Sequence, residues 1–153
     1  MIRVTFVCHG NICRSPMAEF LMKDKLEKLG IANEFFVSSH AVSDEEIYSG
    51  VGNPVYPPVK RLLSGLGISC EQKRATLLTA ADGEKYDWFL CMDESNVRRA
   101  KRILGEKHAE KCVKLLSFVG GGDVADPWYS RDFEAAYRDI SRGIDGFLGN
   151  LGY

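Results

Sequence analysis

Ile2-Arg3-Val4-Thr5-Phe6-Val7, followed by Cys8-His9-Gly10-Asn11-Ile12-Cys13-Arg14-Ser15-Pro16, is the stretch on which the fold and chemistry of this 153-residue chain turn. Its first part alternates apolar residues with Arg3 and Thr5 and is rich in β-branched types, which predicts a strand. Its end predicts a helix start, because Ser15 is a good N-cap and Pro16 is tolerated in the first turn. The loop between them joins a strand to a helix N-terminus. Amide N–H groups there lack intrahelical partners and, with the helix dipole, favour an anion. Gly10 permits a positive φ and Asn11 tolerates one, as a tight cradle of backbone donors requires. Cys8 sits at its mouth. Taken alone, a free cysteine ending a strand is a small buried hydrophobe. Beside inward amides and the Arg14 guanidinium, however, a thiol ionises readily and becomes a nucleophile. Arg14 offers a planar fork for two phosphate oxygens, and Ser15 can donate its hydroxyl to the thiolate. His9 reads as an exposed residue at the pocket rim. Cys8, His9 and Cys13 lack the spacing of a structural zinc site.

Outward from this stretch, Met17, Phe20, Leu21, Leu26 and Leu29 give the helix an apolar face, with Gly30 as its stop. A second strand is predicted at Glu34–Ser38, a long loop from Ser39 to Pro58, and a helix from about Pro58 to Leu66. Asp87–Met92 reads as a buried strand. Asp93 caps a helix carrying Val97, Ala100, Ile103 and Leu104. Cys112–Leu116 reads as a short strand and Gly120-Gly121-Gly122 as a loop. A last helix carries Phe133 through Leu151 with a period near 3.6, weakened locally by Gly143 and Gly146. Strands alternating with helices argue for an α/β fold whose parallel sheet is covered on both faces. A ligand would then sit at the carboxyl ends of the strands.

The length suits one domain, residues 1–153, and the charge balance of 20 Lys+Arg against 21 Asp+Glu offers no basic face for nucleic acid or membrane. No apolar run approaches a membrane span, and the N-terminus lacks the features of a signal peptide. The five cysteines, Cys8, Cys13, Cys70, Cys91 and Cys112, suit neither a disulfide scaffold nor paired zinc ligands; a reducing, cytoplasmic location is expected. A proton donor is needed beside any such nucleophile. Asp126-Pro127-Trp128-Tyr129 is the best candidate, its aromatics placed to wall the pocket. The same residues also read as a turn before the last helix. Asp123 and Asp132 read as a loop residue and a helix cap.

The run Val7–Phe20, VCHGNICRSPMAEF, resembles the signature of the low-molecular-weight protein tyrosine phosphatase family: a cysteine, five residues, then arginine and serine. The resemblance extends over nearly the whole chain, resuming at Ser39, Val42-Ser43-Asp44, Asn53–Pro58, Asp87–Asn96 and Asp126–Tyr129. It implies a single-domain three-layer fold around a four-stranded parallel sheet, no metal or cofactor, and a phosphocysteine on Cys8 with Asp126 as general acid and base. It also implies a phosphotyrosine-containing protein or peptide as partner, inorganic phosphate as product and inhibitor, and a monomer or weak self-association. Ser39 would support Asn11, and Cys13 either can form a protective disulfide with Cys8, as the matching cysteine of the family does, or simply packs beneath the loop. Ile12 resembles the phosphotyrosine-directed branch, whereas the phosphoarginine-directed branch carries threonine. Glu45 stands where animal members place a rim tryptophan, and Gln72 or a near neighbour replaces a histidine. An arsenate reductase of the same fold would need two relay cysteines, and Cys70, Cys91 and Cys112 are scattered. A pure phosphate-binding module would need neither the thiol nor Asp126.

Overall fold

In the computed structural model, which describes residues 1–153, the opening alternation becomes strand β1 (Ile2–Cys8). Successive side chains point to opposite faces. Val4 and Phe6 are wholly buried in the larger apolar cluster, and Val7 in the smaller one across the sheet. The chain continues through α1 (Arg14–Leu29), β2 (Phe35–Ala41), the small hairpin β3 (Ile47–Tyr48) and β4 (Val51–Gly52), and α2 (Pro57–Gly65). There follow β5 (Trp88–Cys91), α3 (Glu94–Leu104), β6 (Cys112–Lys114), α4 (Pro127–Ser130) and α5 (Phe133–Asn150).

The main sheet has four parallel strands in the order β2-β1-β5-β6. Met17, Met22 and Leu26 of α1, Val59 and Leu63 of α2, and Ile140, Ile144 and Phe147 of α5 cover one face. Val97, Ala100 and Leu104 of α3, with Tyr86 and Leu78, cover the other. Each of the Val, Leu, Ile, Met and Phe side chains among these contributes roughly 1.5–3 kcal/mol on burial, so β1 is clamped from both sides and the start of its loop is fixed in space. The three layers and the four-stranded parallel sheet are those expected. The chain leaves β1 toward β2 on one side, while β5 lies on the other. The carboxyl ends of β1 and β5 therefore border the crevice where open α/β sheets bind ligands. No helix is long and apolar enough to cross a membrane.

Several local expectations are corrected. β2 runs on to Ala41, so Ser39 and His40 lie in the sheet; Cys8 pairs with Ala41 in register, and β1 imposes strand geometry on a polar stretch. The segment expected to be a loop also contains the β3–β4 hairpin. β6 ends at Lys114, and Leu115–Val119 forms a 3₁₀ turn instead. That turn explains Gly143 and Gly146. A Cβ on Gly143 would lie 2.6 Å from Leu115 Cγ, and one on Gly146 2.6 Å from Val119 Cγ1, so the two glycines let α5 approach closely. α2 begins one residue early, at Pro57. Ser15 does not cap α1; the helix starts at Arg14 with Cys13 at the cap position, and the Ser15 hydroxyl is used elsewhere.

Candidate active site

The loop after β1 is tied to its surroundings through its carbonyls. Cys8 O accepts from Val42 N, His9 O from Ser43 N, Ile12 O from Tyr56 N and Cys13 O from Met17 N. By contrast, the N–H groups of His9, Gly10, Asn11, Ile12 and Cys13 donate to no protein acceptor, and the Ser15 N–H reaches Cys8 Sγ at 3.4 Å. Backbone donors rarely go unpaired; a run of them around one sulfur is a concave anion cradle. Of the two loop residues suited to a positive φ, Asn11 adopts it (φ 59°). Gly10 instead gives room to Glu46, whose Cγ would sit 3.1 Å from an added Cβ.

Asn11 holds the cradle together. Its Oδ1 accepts from Thr76 N at 2.9 Å, which fixes the amide orientation. Its Nδ2 donates to Ser15 Oγ at 2.8 Å and to Ser39 Oγ at 2.9 Å. An amide nitrogen only donates, so both hydroxyls accept from it and each keeps one hydrogen. That of Ser39 goes to Glu19 Oε1 at 2.6 Å. Ser15 Oγ lies 2.9 Å from Cys8 Sγ, and when the sulfur is a thiolate, which can only accept, that contact takes the Ser15 hydrogen. Side chain and backbone of Ser15 thus both aim a donor at the sulfur.

Arg14 is almost wholly buried and braced on one side only: Nη1 donates to Asp93 Oδ2 and to Val124 O, both at 2.8 Å. Burial opposes its charge, but Cys8, Asp93 and Asp126 outweigh that and raise its pKa above the ordinary value. Asp93 caps α3 as expected, Oδ1 accepting from Asn96 N, and its Oδ2 also braces Arg14. Asp126 lies across the cavity. Its Oδ1 accepts from Trp128 N at 3.0 Å and caps the short α4, while Oδ2 lies 3.6 Å from Arg14 Nη2. The turn reading and the placement beside the loop therefore hold together.

Cys8, His9, Gly10, Ile12, Cys13, Arg14, Glu45, Glu46, Asp126, Trp128 and Tyr129 line one cavity of about 360 Å³. Cys8 lies at its floor, 3% exposed. Asn11 and Ser15, though in the loop, do not line the cavity, and neither does Ser39. Trp128 is half exposed and tilts against Tyr56, ring centroids 5.4 Å apart; Tyr129 is almost fully exposed. His9 is pinned rather than free. Its Nδ1 accepts from Arg99 Nη1 at 3.2 Å, and its Nε2 faces Glu45 Oε2 at 2.9 Å, so the rim charge of Glu45 has a partner. All five cysteines are unpaired. Burial, then the nearby Cys8 and Asp126, push the Cys13 thiol up, so it stays protonated. Gln72 is exposed; its neighbour Lys73 turns inward and donates to Ser39 O at 2.9 Å. Sequence reading missed Glu19, Tyr56, Lys73, Thr76 and Arg99. None belongs to the loop, and only their positions in the fold bring them to it.

The sequence model of the family described as "Low molecular weight phosphotyrosine protein phosphatase" matches residues 3–152. The chain is 34% identical to the low molecular weight phosphotyrosine protein phosphatase of Sus scrofa, covering 95% of this chain and 92% of that one. Its fold is similar to the crystal structure of YfkJ from Bacillus subtilis, with a TM-score of 0.91, 31% identity, and coverage of 99% and 95%. It is likewise similar to SP-PTP, a low molecular weight protein tyrosine phosphatase from Streptococcus pyogenes, with a TM-score of 0.87, 34% identity, and coverage of 99% and 93%.

Proposed function

The chain belongs to the low molecular weight phosphotyrosine protein phosphatase family, and from that premise we propose that it hydrolyses phosphotyrosine and aryl phosphate monoesters through a phosphocysteine on Cys8, with Asp126 as general acid and then base. The observation that carries this reading is the run of unpaired loop N–H groups around a sulfur that also faces the Ser15 hydroxyl. The phosphate dianion takes those N–H groups and the free Nη2–Nε edge of Arg14, whose other edge is spent on Asp93 and Val124.

Cys8 Sγ attacks phosphorus in line. The S–P bond forms, the P–O bond to the aryl group breaks, and protonated Asp126 delivers its proton from Oδ2 to the leaving oxygen. Asp126, now a carboxylate, takes a proton from water. The water oxygen bonds to phosphorus, and the S–P electron pair returns to sulfur, where the donors of Ser15 stabilise the thiolate. Inorganic phosphate is the product and, filling the same cradle, an inhibitor.

The depth of the sulfur favours a long, flat phosphotyrosine over phosphoserine. Ile12 places an apolar wall where a phosphoguanidinium would want a hydrogen-bond partner, and Trp128 offers a face to the ring. The partner is a phosphotyrosine-containing protein or peptide. Five unpaired cysteines suit a reducing cytoplasm. A disulfide relay of the arsenate reductase type is disfavoured: Cys70, Cys91 and Cys112 are buried, and burial raises each thiol, that of Cys112 to about 11.

Rates on matched phosphotyrosine, phosphoarginine and phosphoserine peptides test this reading. Phosphotyrosine is expected to exceed both others in kcat/KM by about 10²-fold or more. Faster turnover of phosphoarginine would overturn the assignment.

A further inference from the structure

Behind the loop, on the side away from the cavity, Lys73 and Glu19 form an ion pair at 3.5 Å, with side chains only 12% and 6% exposed. Placing an ammonium there costs desolvation that a glutamine would avoid. Burial indeed lowers the pKa of Lys73, against the pull of Glu19 and Cys8. The titratable groups around it are Glu19 and Lys23 on α1, His40 on β2 and Cys8 at the end of β1.

The pair reaches the nucleophile by two arms. Along the first, Glu19 accepts the Ser39 hydroxyl while Lys73 Nζ holds the Ser39 carbonyl, so Ser39 Oγ presents a lone pair to Asn11. Along the second, Lys73 anchors the strand-like segment whose Thr76 N–H fixes Asn11 Oδ1. Both arms meet at Asn11, which turns the Ser15 oxygen so that its single hydrogen faces Cys8 Sγ.

We propose that Lys73 and Glu19 are positioning residues of the phosphatase reaction: their buried ion pair, through Ser39, Asn11 and Ser15, sets the hydrogen bond that lets the Cys8 thiolate leave phosphorus. This rests on the phosphocysteine reading above. The pair acts mainly on the second half-reaction, because a hydroxyl aimed at sulfur stabilises the thiolate as a leaving group and does little for it as an attacking one.

The test uses the full chain and an aryl phosphate with a good leaving group, following both the burst of released phenol and the steady state. A wild-type burst that disappears in Cys8→Ser establishes the parent reading independently. The inference then stands on Glu19→Gln, Lys73→Gln and Lys73→Arg, with Lys60→Met, which breaks only the exposed Lys60–Glu71 bridge, as control. Glu19→Gln and Lys73→Gln are expected to lower kcat on the order of tenfold, the scale of one charge-assisted hydrogen bond. The burst amplitude should be retained and kcat/KM should change by no more than about threefold. Lys73→Arg should recover most of the loss. Three results would overturn it: kcat within about twofold of wild type in both glutamine variants, loss of the burst together with kcat/KM, or no advantage of arginine over glutamine at position 73. Phosphate binding by calorimetry on each variant confirms that the cradle is folded when the rates are read.

Discussion

The loop from Cys8 to Ser15 and the wall from Asp126 to Arg131 face each other across one cavity, but they are held by different means. On the loop, carbonyls and side chains are tied to β2, α1, Tyr56 and Thr76, and Asn11 is held in a left-handed conformation by three hydrogen bonds. The wall has one helix cap, an aromatic contact between Trp128 and Tyr56, and an Arg131 bond to the Tyr56 hydroxyl at 3.2 Å. Trp128 and Tyr129 are largely exposed, whereas Cys8, Asn11, Arg14 and Ser15 are buried. The difference follows from what each side meets. Phosphate has one shape, so its donors are fixed in advance. The leaving group varies, so the wall need only supply a proton and an adjustable apolar face.

That contrast is open to attack. Cys8→Ser should abolish turnover, by a factor on the order of 10⁴ or more, while phosphate binding measured by calorimetry persists. Asp126→Asn should slow the first half-reaction by roughly 10²–10³-fold for poor leaving groups and much less for good ones, seen as a steeper dependence of kcat/KM on phenol acidity. Asn11→Ala tests the rigidity of the loop. It leaves the Thr76 N–H and two hydroxyls to find new partners, and should cost about 2–3 kcal/mol in urea unfolding along with a loss of kcat. Trp128→Ala, on the adaptable side, should raise KM for aryl substrates by only about three- to tenfold and leave inhibition by phosphate unchanged.

A smaller effect comes from beneath the loop. His40 in β2 bonds Thr5 Oγ1 through Nδ1 at 2.7 Å, and burial lowers its pKa to about 4. The folded state therefore holds it neutral. Its contribution is fully present above the unfolded value near 6.5 and is lost as pH falls from there toward 4. Urea midpoints should decline across that window in wild type and decline less in His40→Asn.

How far the molecule could be read in advance follows the same division. The loop declared itself because its chemistry is local: Cys8, Asn11, Arg14 and Ser15 are close in the chain, between a patterned strand and a helix. β1, α1, β5, α3 and α5 were equally plain from their apolar periods. The polar end of β2 was not, since Ser38, Ser39 and His40 are strand only because β1 pairs with them. Leu115 and Leu116 looked like strand, but they open a turn under α5, where Gly143 admits Leu115 and Gly146 admits Phe118 and Val119. In the site, the N-cap signal of Ser15 was outweighed by its bond to sulfur. Glu19, Lys73 and Thr76 escaped notice because each reaches the loop only through tertiary packing. Lys73 in particular lies in a run of charged residues that reads as a solvated surface.

The most direct test of the mechanism is to mix the enzyme with an aryl phosphate, quench in alkaline denaturant during the burst, and locate the phosphoryl group by peptide mass spectrometry. The account predicts a single phosphoryl group on Cys8, absent from Cys8→Ser and longer-lived in Asp126→Asn once formed from a good leaving group. A phosphoryl group on His9 or Cys13, or a burst with Cys8 unmodified, would contradict it.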